Sequence, residues 1–130
     1  MLTINFPKLG PYHADNEIGV PIDKTWTLDA KEDLAKVECG KSFRVIVTVE
    51  VLSGVKPKYL LAEITDSTDP ENGAQLNSDG DVDHDPISES TTRIVLSLTA
   101  PRKPGTYYVH IREFSSYRPL AMGRINVVEQ

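Results

Sequence analysis

Several absences narrow the chemistry of this 130-residue chain. It has a single cysteine, Cys39, which excludes an internal disulfide and a zinc site built from cysteines. No apolar run approaches the roughly 18–20 residues that a membrane-spanning helix needs. The first residues, MLTINFPKLG, lack the basic region and apolar stretch of a signal peptide. We therefore expect no transmembrane segment and no signal peptide, and the sequence assigns no compartment.

Catalytic patterns are also missing. The three histidines, His13, His84 and His110, are far apart in sequence and form no HxH or HExxH pair. There is no GxSxG turn and no glycine-rich phosphate loop. Cys39, next to Gly40 at the start of a predicted strand, has the setting of a small buried thiol. We predict that the protein is not an enzyme and that no catalytic residues are present.

The composition of the chain is typical of one globular domain, which we predict to span residues 1–130. The chain is 39% hydrophobic and 25% charged, as expected for a packed fold. Its net charge of −5 argues against nucleic acid as a partner. The charge is unevenly placed, because residues 67–90 contain seven Asp and Glu residues and no Lys or Arg. This acidic segment is longer than most connections in a compact domain and is predicted to be a loop outside the sheets.

Alternation of apolar and polar residues is the main structural signal, since it is typical of half-buried strands. It predicts a long strand in VECGKSFRVIVTVEVL, from Val37, and further strands in Lys58–Asp66, Thr91–Ala100, Tyr107–Phe114 and Met122–Val128. No alternation of strands with helices appears, so we predict an all-β, two-layer antiparallel sandwich of about seven or eight strands. The residues predicted to face its core are Phe43, Val45, Val47, Val49, Val51, Leu60, Ala62, Ile64, Ile94, Leu96, Leu98, Ala100, Tyr107, Val109, Ile111, Ile125 and Val127.

The N-terminal quarter carries weaker signals. Residues 1–23 contain three prolines and are expected to form an extended arm or an edge strand, with Leu2–Phe6 as the best strand segment. Asp29–Lys36, DAKEDLAK, is the only segment that favours a helical turn.

Two stretches resemble a known superfold. VxCGxxFxVxV, at Val37–Val47, resembles the glycine and long second strand of immunoglobulin-like domains. LTAPRKPGTYYVHI, at Leu98–Ile111, is similar to their E-to-F turn, where Tyr107 occupies the place of the tyrosine-corner residue. The resemblance, over about residues 37–128, is to the broad immunoglobulin-like or fibronectin-like β-sandwich. It implies a fold and carries no function by itself.

The acidic segment is the first candidate site. Oxygen-bearing side chains recur at alternate positions around Gly80, and calcium prefers six to eight oxygen ligands. The spacing does not fit an EF-hand, so a looser calcium loop and a solvated acidic loop are the alternatives. The predicted ligands are Asp79, Asp81, Asp83 and Asp85.

Arginine and tyrosine residues near the C-terminus form the second candidate site. These residue types are favoured at interaction hot spots, and an ordinary outward strand face is the alternative. The predicted contacts with a protein partner are Arg112, Tyr108, Tyr117 and Arg118. The same surface could bind the acidic segment of another copy, which would make self-association sensitive to salt.

The single tryptophan, Trp26, allows one more interpretation, because aromatic faces stack on sugar rings. Tyr12, Tyr59 or Tyr117 could complete such a platform, although tryptophan in a small domain is more often part of the core. The leading hypothesis is a non-enzymatic binding or structural module that acts through its surface, in protein–protein interaction or assembly. The alternative is a calcium-dependent adhesive or carbohydrate-binding module that uses the acidic segment.

Overall fold

Nine strands make up the part of the chain that the structure describes. A computed structural model describes the backbone of residues 2–6, 9–12, 33–51, 60–69, 71–81, 90–113 and 119–129, with side chains for most of them. The strands are β1 (Leu2–Asn5), β2 (Leu9–Tyr12), β3 (Asp33–Glu38), β4 (Ser42–Val51), β5 (Leu60–Thr65), β6 (Gln75–Asp81), β7 (Ser90–Thr99), β8 (Gly105–Glu113) and β9 (Pro119–Val128). Within these residues the structure has no helix long and apolar enough to cross a bilayer.

The strands form two sheets. In the first, β4 pairs antiparallel with β7 on one side and parallel with β1 and β2 on the other. The second sheet has the order β3-β9-β8-β5-β6, and only its β3–β9 pair is parallel. The predicted all-β, immunoglobulin-like sandwich is confirmed. The parallel pairs on β4 and β9 are a feature that the sequence did not indicate.

The hydrophobic core lies between the sheets. Every predicted core residue whose side chain the structure describes is buried, including Phe43, Val45 and Val47 of β4 at 0% exposure. The side chains of Val49 and Val51 lie outside the described part. Because successive side chains of a strand point to opposite faces, this alternation places one set of residues in the core. Each fully buried Val, Leu, Ile or Phe contributes about 1.5–3 kcal/mol.

The N-terminal region is extended wherever it is described. Leu2–Asn5 form a strand at the edge of β4, and Ile4 and Phe6 bury their side chains in the core, as predicted for the arm. The helical turn predicted in Asp29–Lys36 is wrong for residues 33–36, which belong to β3; residues 29–32 lie outside the described part. Pairing with β9 and the packing of Ala35 and Val37 against the core outweigh the weak local helix propensity.

The acidic segment is not a continuous loop. Residues 75–81 form β6, which pairs with β5 from Leu60↔Asp81 to Thr65↔Gln75, so the loop prediction is wrong there. The turn before it uses acidic side chains as acceptors: Asp66 Oδ1 accepts the Ala74 N–H at 3.0 Å, and Asp69 Oδ1 accepts the Glu71 N–H at 3.0 Å. These carboxylates satisfy backbone groups that no ladder reaches. Residues 82–89 lie outside the described part.

Short turns close one end of the sandwich, which we call the turn end. Gly40 has φ 71°, a left-handed conformation that favours glycine, in the turn where Lys41 N–H donates to Glu38 O at 3.1 Å. The same turn contacts both sheets, because Cys39 N–H donates to Val128 O at 2.9 Å and Ala100 N–H donates to Lys41 O at 2.9 Å.

The turn between β7 and β8 contains the tyrosine corner that the resemblance implies. The Tyr107 hydroxyl donates to the backbone oxygen of Lys103 at 2.7 Å, and the ring is 9% exposed. Tyr107 therefore anchors the β7–β8 turn to the start of β8, four residues further along the chain.

We expect Tyr107→Phe to lower the free energy of unfolding by about 0.5–1.5 kcal/mol, because it removes one hydrogen bond and keeps the ring. Denaturant unfolding followed by circular dichroism measures the change. Tyr108→Phe is the matched control, since the Tyr108 side chain is half-buried and has no hydrogen bond in the described structure. Equal effects of the two substitutions would contradict a stabilising tyrosine corner.

Candidate interaction surface and a buried polar cluster

The end opposite the turn end is where the long connections attach; we call it the loop end. There β4 ends at Val51, paired with Ser90 at the start of β7. Leu60, which begins β5, pairs with Asp81 and Glu113, the last residues of β6 and β8. The connections 52–59, 82–89 and 114–118 therefore all leave from and return to the same end of the sandwich.

Both predicted site sets fall partly on these connections. Asp83 and Asp85 belong to 82–89, and Tyr117 and Arg118 belong to 114–118. All four lie outside the described residues, so their contacts stay predictions. Trp26 and Tyr59, proposed for a sugar platform, also lie outside them. The described strand ends nevertheless show that both sets belong to connections that start at the loop end.

Asp79 has a structural role in β6. Its Oδ2 accepts the backbone N–H of Ser97, in β7 of the other sheet, at 2.7 Å. Asp81 is the last residue of β6, and its side chain is outside the described part. Among the described residues no group of three or more His, Cys, Asp or Glu side chains is placed to hold a metal ion. Calcium binding stays a prediction, and Asp79 would have to leave Ser97 to take part in it.

Arg112 is not a surface residue, and its assignment to a partner-binding surface is corrected. Its side chain is almost fully buried, with Nε 2.8 Å from Glu63 Oε1 and Nη2 3.3 Å from Glu63 Oε2. Glu63, in β5, is itself 1% exposed and accepts a further hydrogen bond from the Gln75 side-chain amide. An arginine held in this way by a buried carboxylate is unavailable to a partner.

This ion pair is part of a buried polar cluster on the outer face of the second sheet. Ala62 and Ile64 of β5 face the core, so Glu63 and Thr65, the residues that alternate with them, face the other way. His110 and Arg112 alternate in the same manner with Val109 and Ile111 on β8. The buried polar residues of the cluster are Glu63, Thr65, His110 and Arg112.

His110 is fully buried and is bonded on one side of its ring only. Its Nε2 is 2.9 Å from both the Ser67 backbone oxygen and Thr65 Oγ1. Because a carbonyl oxygen only accepts, the Ser67 contact places the ring proton on Nε2. Nδ1 is buried and has no hydrogen-bond partner in the described structure. Loss of hydration on burial lowers the pKa of His110, and the Ser67 hydrogen bond and the Glu63 carboxylate oppose this only in part.

Of the two partner-binding candidates that the structure describes, Tyr108 and Arg112, only Tyr108 lies at the surface. It is half-buried on the outer face of β8, opposite Arg124 of β9. It lies nearer the turn end than Arg112 does, so the structure separates two residues that the sequence grouped together.

Sequence reasoning missed two important side chains, Glu63 and Asn77. Glu63 lies between core residues of β5, and nothing in its local pattern indicates Arg112 as its partner. Asn77, in β6, accepts the Thr99 N–H through Oδ1 at 2.8 Å. Both contacts depend on strand order and register, which local alternation does not encode. An acidic residue in the middle of an otherwise apolar strand was the only available signal.

Among the comparisons with known proteins, the match to one solved structure supports the fold. No protein-family model matches the chain, and no curated protein sequence matches it. Among solved structures, it is similar to PbICP-C in complex with falcipain-2, with 16% identity, full coverage of both chains and a TM-score of 0.51. The NK cell receptor NKp44 is 14% identical over 77% of this chain and 98% of its own, with a TM-score of 0.39. Auracyanin A from Chloroflexus aurantiacus is 14% identical over 97% of this chain and 99% of its own, with a TM-score of 0.41.

Breaking the buried ion pair should destabilise the domain strongly. We expect Arg112→Leu or Glu63→Leu to lower the free energy of unfolding by about 3–5 kcal/mol, because each leaves a buried charge without its partner. The double substitution should cost less than the sum of the two, since it removes both charges. Denaturant unfolding of all three variants measures the coupling. Strictly additive losses would contradict the pair, and Arg102→Leu, at an exposed position, serves as the control.

Stability should depend on pH through His110. Its pKa is lower in the folded state than the ordinary 6.5, so the unfolded chain binds the proton more tightly. The free energy of unfolding should therefore fall as the pH drops through 6.5 and continue to fall until the folded pKa is reached. We expect His110→Gln to flatten this dependence between pH 7 and 5.5, in unfolding curves measured across that range, and His84→Gln to retain it. A dependence unchanged by His110→Gln would contradict this assignment.

The calcium prediction has a direct test. If calcium binds the folded chain, at a hundred times the dissociation constant it stabilises the fold by about 2.7 kcal/mol. Melting temperatures with millimolar calcium and with a chelator should then differ, and Asp83→Asn/Asp85→Asn should remove the difference. Identical melting temperatures would exclude a calcium site of millimolar or better affinity.

Proposed function

We propose that this domain is a non-enzymatic binding module that recognises a protein partner through its loop end. One observation carries the proposal: three connections, 52–59, 82–89 and 114–118, attach to one end of the sandwich. The turns at the other end are closed by their own backbone hydrogen bonds. A rigid sandwich that presents several loops at one end is a common arrangement for recognition.

The sequences of these connections suit a protein partner. Residues 52–59, LSGVKPKY, contain two lysines, and residues 82–89, VDHDPISE, contain three acidic residues. Residues 114–118, FSSYR, contribute Tyr117 and Arg118, of types enriched at interaction hot spots. Charges of both signs on neighbouring connections favour one orientation of a charged partner over others.

The likeness to PbICP-C supports the same type of function. That chain has the same overall fold along its full length and was solved in complex with falcipain-2. A sandwich of this size and shape is therefore compatible with binding to another folded protein. Falcipain-2 is accordingly the first purified protein to test for binding.

The decisive experiment compares variants at the two ends. Tyr117→Ala/Arg118→Ala changes the loop end, and Arg102→Ala/Lys103→Ala changes the exposed turn end. Each protein, immobilised with the wild type in parallel, is used to capture partners from a lysate of the source organism. The captured protein and falcipain-2 are then titrated by calorimetry.

We expect the loop-end variant to bind its partner about 30-fold more weakly, which corresponds to a hot-spot loss of about 2 kcal/mol. The turn-end variant should bind like the wild type. Loss of binding in the turn-end variant, with the loop-end variant unchanged, would contradict the proposed site.

A further inference from the structure

Among the described residues, the outer edge of β7 is closed by side chains instead of by another strand. β7 pairs with β4 on one side, and no other described strand pairs with it. On its other side, the N–H groups of Ser97 and Thr99 donate to Asp79 Oδ2 and Asn77 Oδ1 of β6, at 2.7 and 2.8 Å. These are ordinary distances for hydrogen bonds in a strand ladder. Two side-chain oxygens thus occupy the places where the carbonyl oxygens of a neighbouring strand would lie.

The same kind of hydrogen bond, from a β7 N–H group to a β6 side chain, occurs twice at a regular spacing. The acceptors are two residues apart on β6, and the donors are two residues apart on β7. Alternate residues of a strand share one face and one edge, so both pairs repeat with the same period. Because β6 belongs to the second sheet and β7 to the first, the two bonds also join the sheets along this side of the sandwich.

β7 is otherwise well suited to pairing with another strand. It has ten residues, STTRIVLSLT, without proline, glycine or an acidic residue, and Arg93 is its only charge. β-Branched and leucine-rich strands with an open edge are templates for strand addition. β6, at the edge of the other sheet, instead carries Gly80 and two aspartates, which disfavour pairing. Of these two edges, β7 is thus the one with less protection in its own sequence.

We propose that β7 is a latent pairing edge for a second copy of this chain, and that Asn77 and Asp79 hold it closed in the monomer. Two identical β7 edges can pair antiparallel about a two-fold axis, because each then supplies the donors and acceptors that the other needs. The occupant is the β7 strand of a second copy, and the resulting sheet would continue from one sandwich into the next. This inference does not depend on the proposed function at the loop end.

The test removes the two acceptors. In Asn77→Ala/Asp79→Ala the Ser97 and Thr99 N–H groups lose their side-chain acceptors and become available to water or to the carbonyl oxygens of another strand. We expect the wild type to sediment as a monomer and this variant to approach twice that mass as its concentration rises. Amide hydrogen exchange at Ser97 and Thr99 should be faster than in the wild type at concentrations where the variant is monomeric.

Two further variants show whether the β7 edge is responsible. Leu76→Ala/Ser78→Ala changes the alternate, exposed positions of β6 and should remain monomeric. Adding Ser97→Pro to the associating variant removes an outward N–H from an edge strand, where proline is tolerated, and should restore the monomer. Asp79→Asn keeps an oxygen acceptor and should also remain monomeric.

A folded Asn77→Ala/Asp79→Ala variant that sediments like the wild type at all concentrations would overturn the proposal. Association that persists with Ser97→Pro would also overturn it, because the contact would then lie elsewhere. If circular dichroism shows that the double variant does not fold, Asp79→Ala alone decides the question by the same measurement.

Discussion

The ladder between β4 and β7 is the constraint on which the rest of the structure depends. Ten consecutive residue pairs join the strands, from Ser42↔Thr99 to Val51↔Ser90. This register turns Phe43, Val45 and Val47 to the same side as Ile94, Leu96 and Leu98, and these six residues belong to the core together with Ile4 of β1. A slip of one residue would turn one strand's apolar set towards solvent. The same register directs the N–H groups of Ser97 and Thr99 away from β4. On that outer side, the side chains of Asp79 and Asn77 in β6 accept them.

The acidic segment contributes hydrogen-bond acceptors to the fold as well as charge. Asp66 and Asp69 organise the turn before β6, and Asp79 accepts from the edge of β7. Asp and Asn side chains are short enough to accept hydrogen bonds from nearby backbone N–H groups that no strand ladder reaches. Part of the chain's net charge of −5 thus has a structural purpose. Only the part of the segment beyond Asp81 is left as a connection at the loop end.

Local alternation predicted the β-rich fold and the core because it depends on neighbouring residues alone. It placed Leu60, Ala62 and Ile64 correctly in β5, and the turn signal at Gly40 and the tyrosine corner at Tyr107 are equally local. Contacts set by register could not be predicted in this way. Glu63 and Arg112 are 49 residues apart and meet only because β5 pairs with β8. β3 and β6 were missed because pairing with β9 and β5 outweighs their polar or helix-favouring sequences. The sequence predicted which residue types form the candidate site. The strand pairing was needed to show that their connections start at the loop end.

These features describe a sandwich with two different ends and one edge closed by side chains, and the β4–β7 register determines which N–H groups lie at that edge. The most direct test is a nuclear Overhauser measurement between Hα atoms of these two strands. Ser97 and Val95 lie at positions that are not hydrogen-bonded to β4, where opposite Cα atoms are only about 4.5 Å apart. Strong Hα–Hα contacts are therefore predicted for Arg44 with Ser97 and for Ile46 with Val95. Contacts shifted by one residue, such as Arg44 with Leu96 or Leu98, would contradict the register and the core built on it.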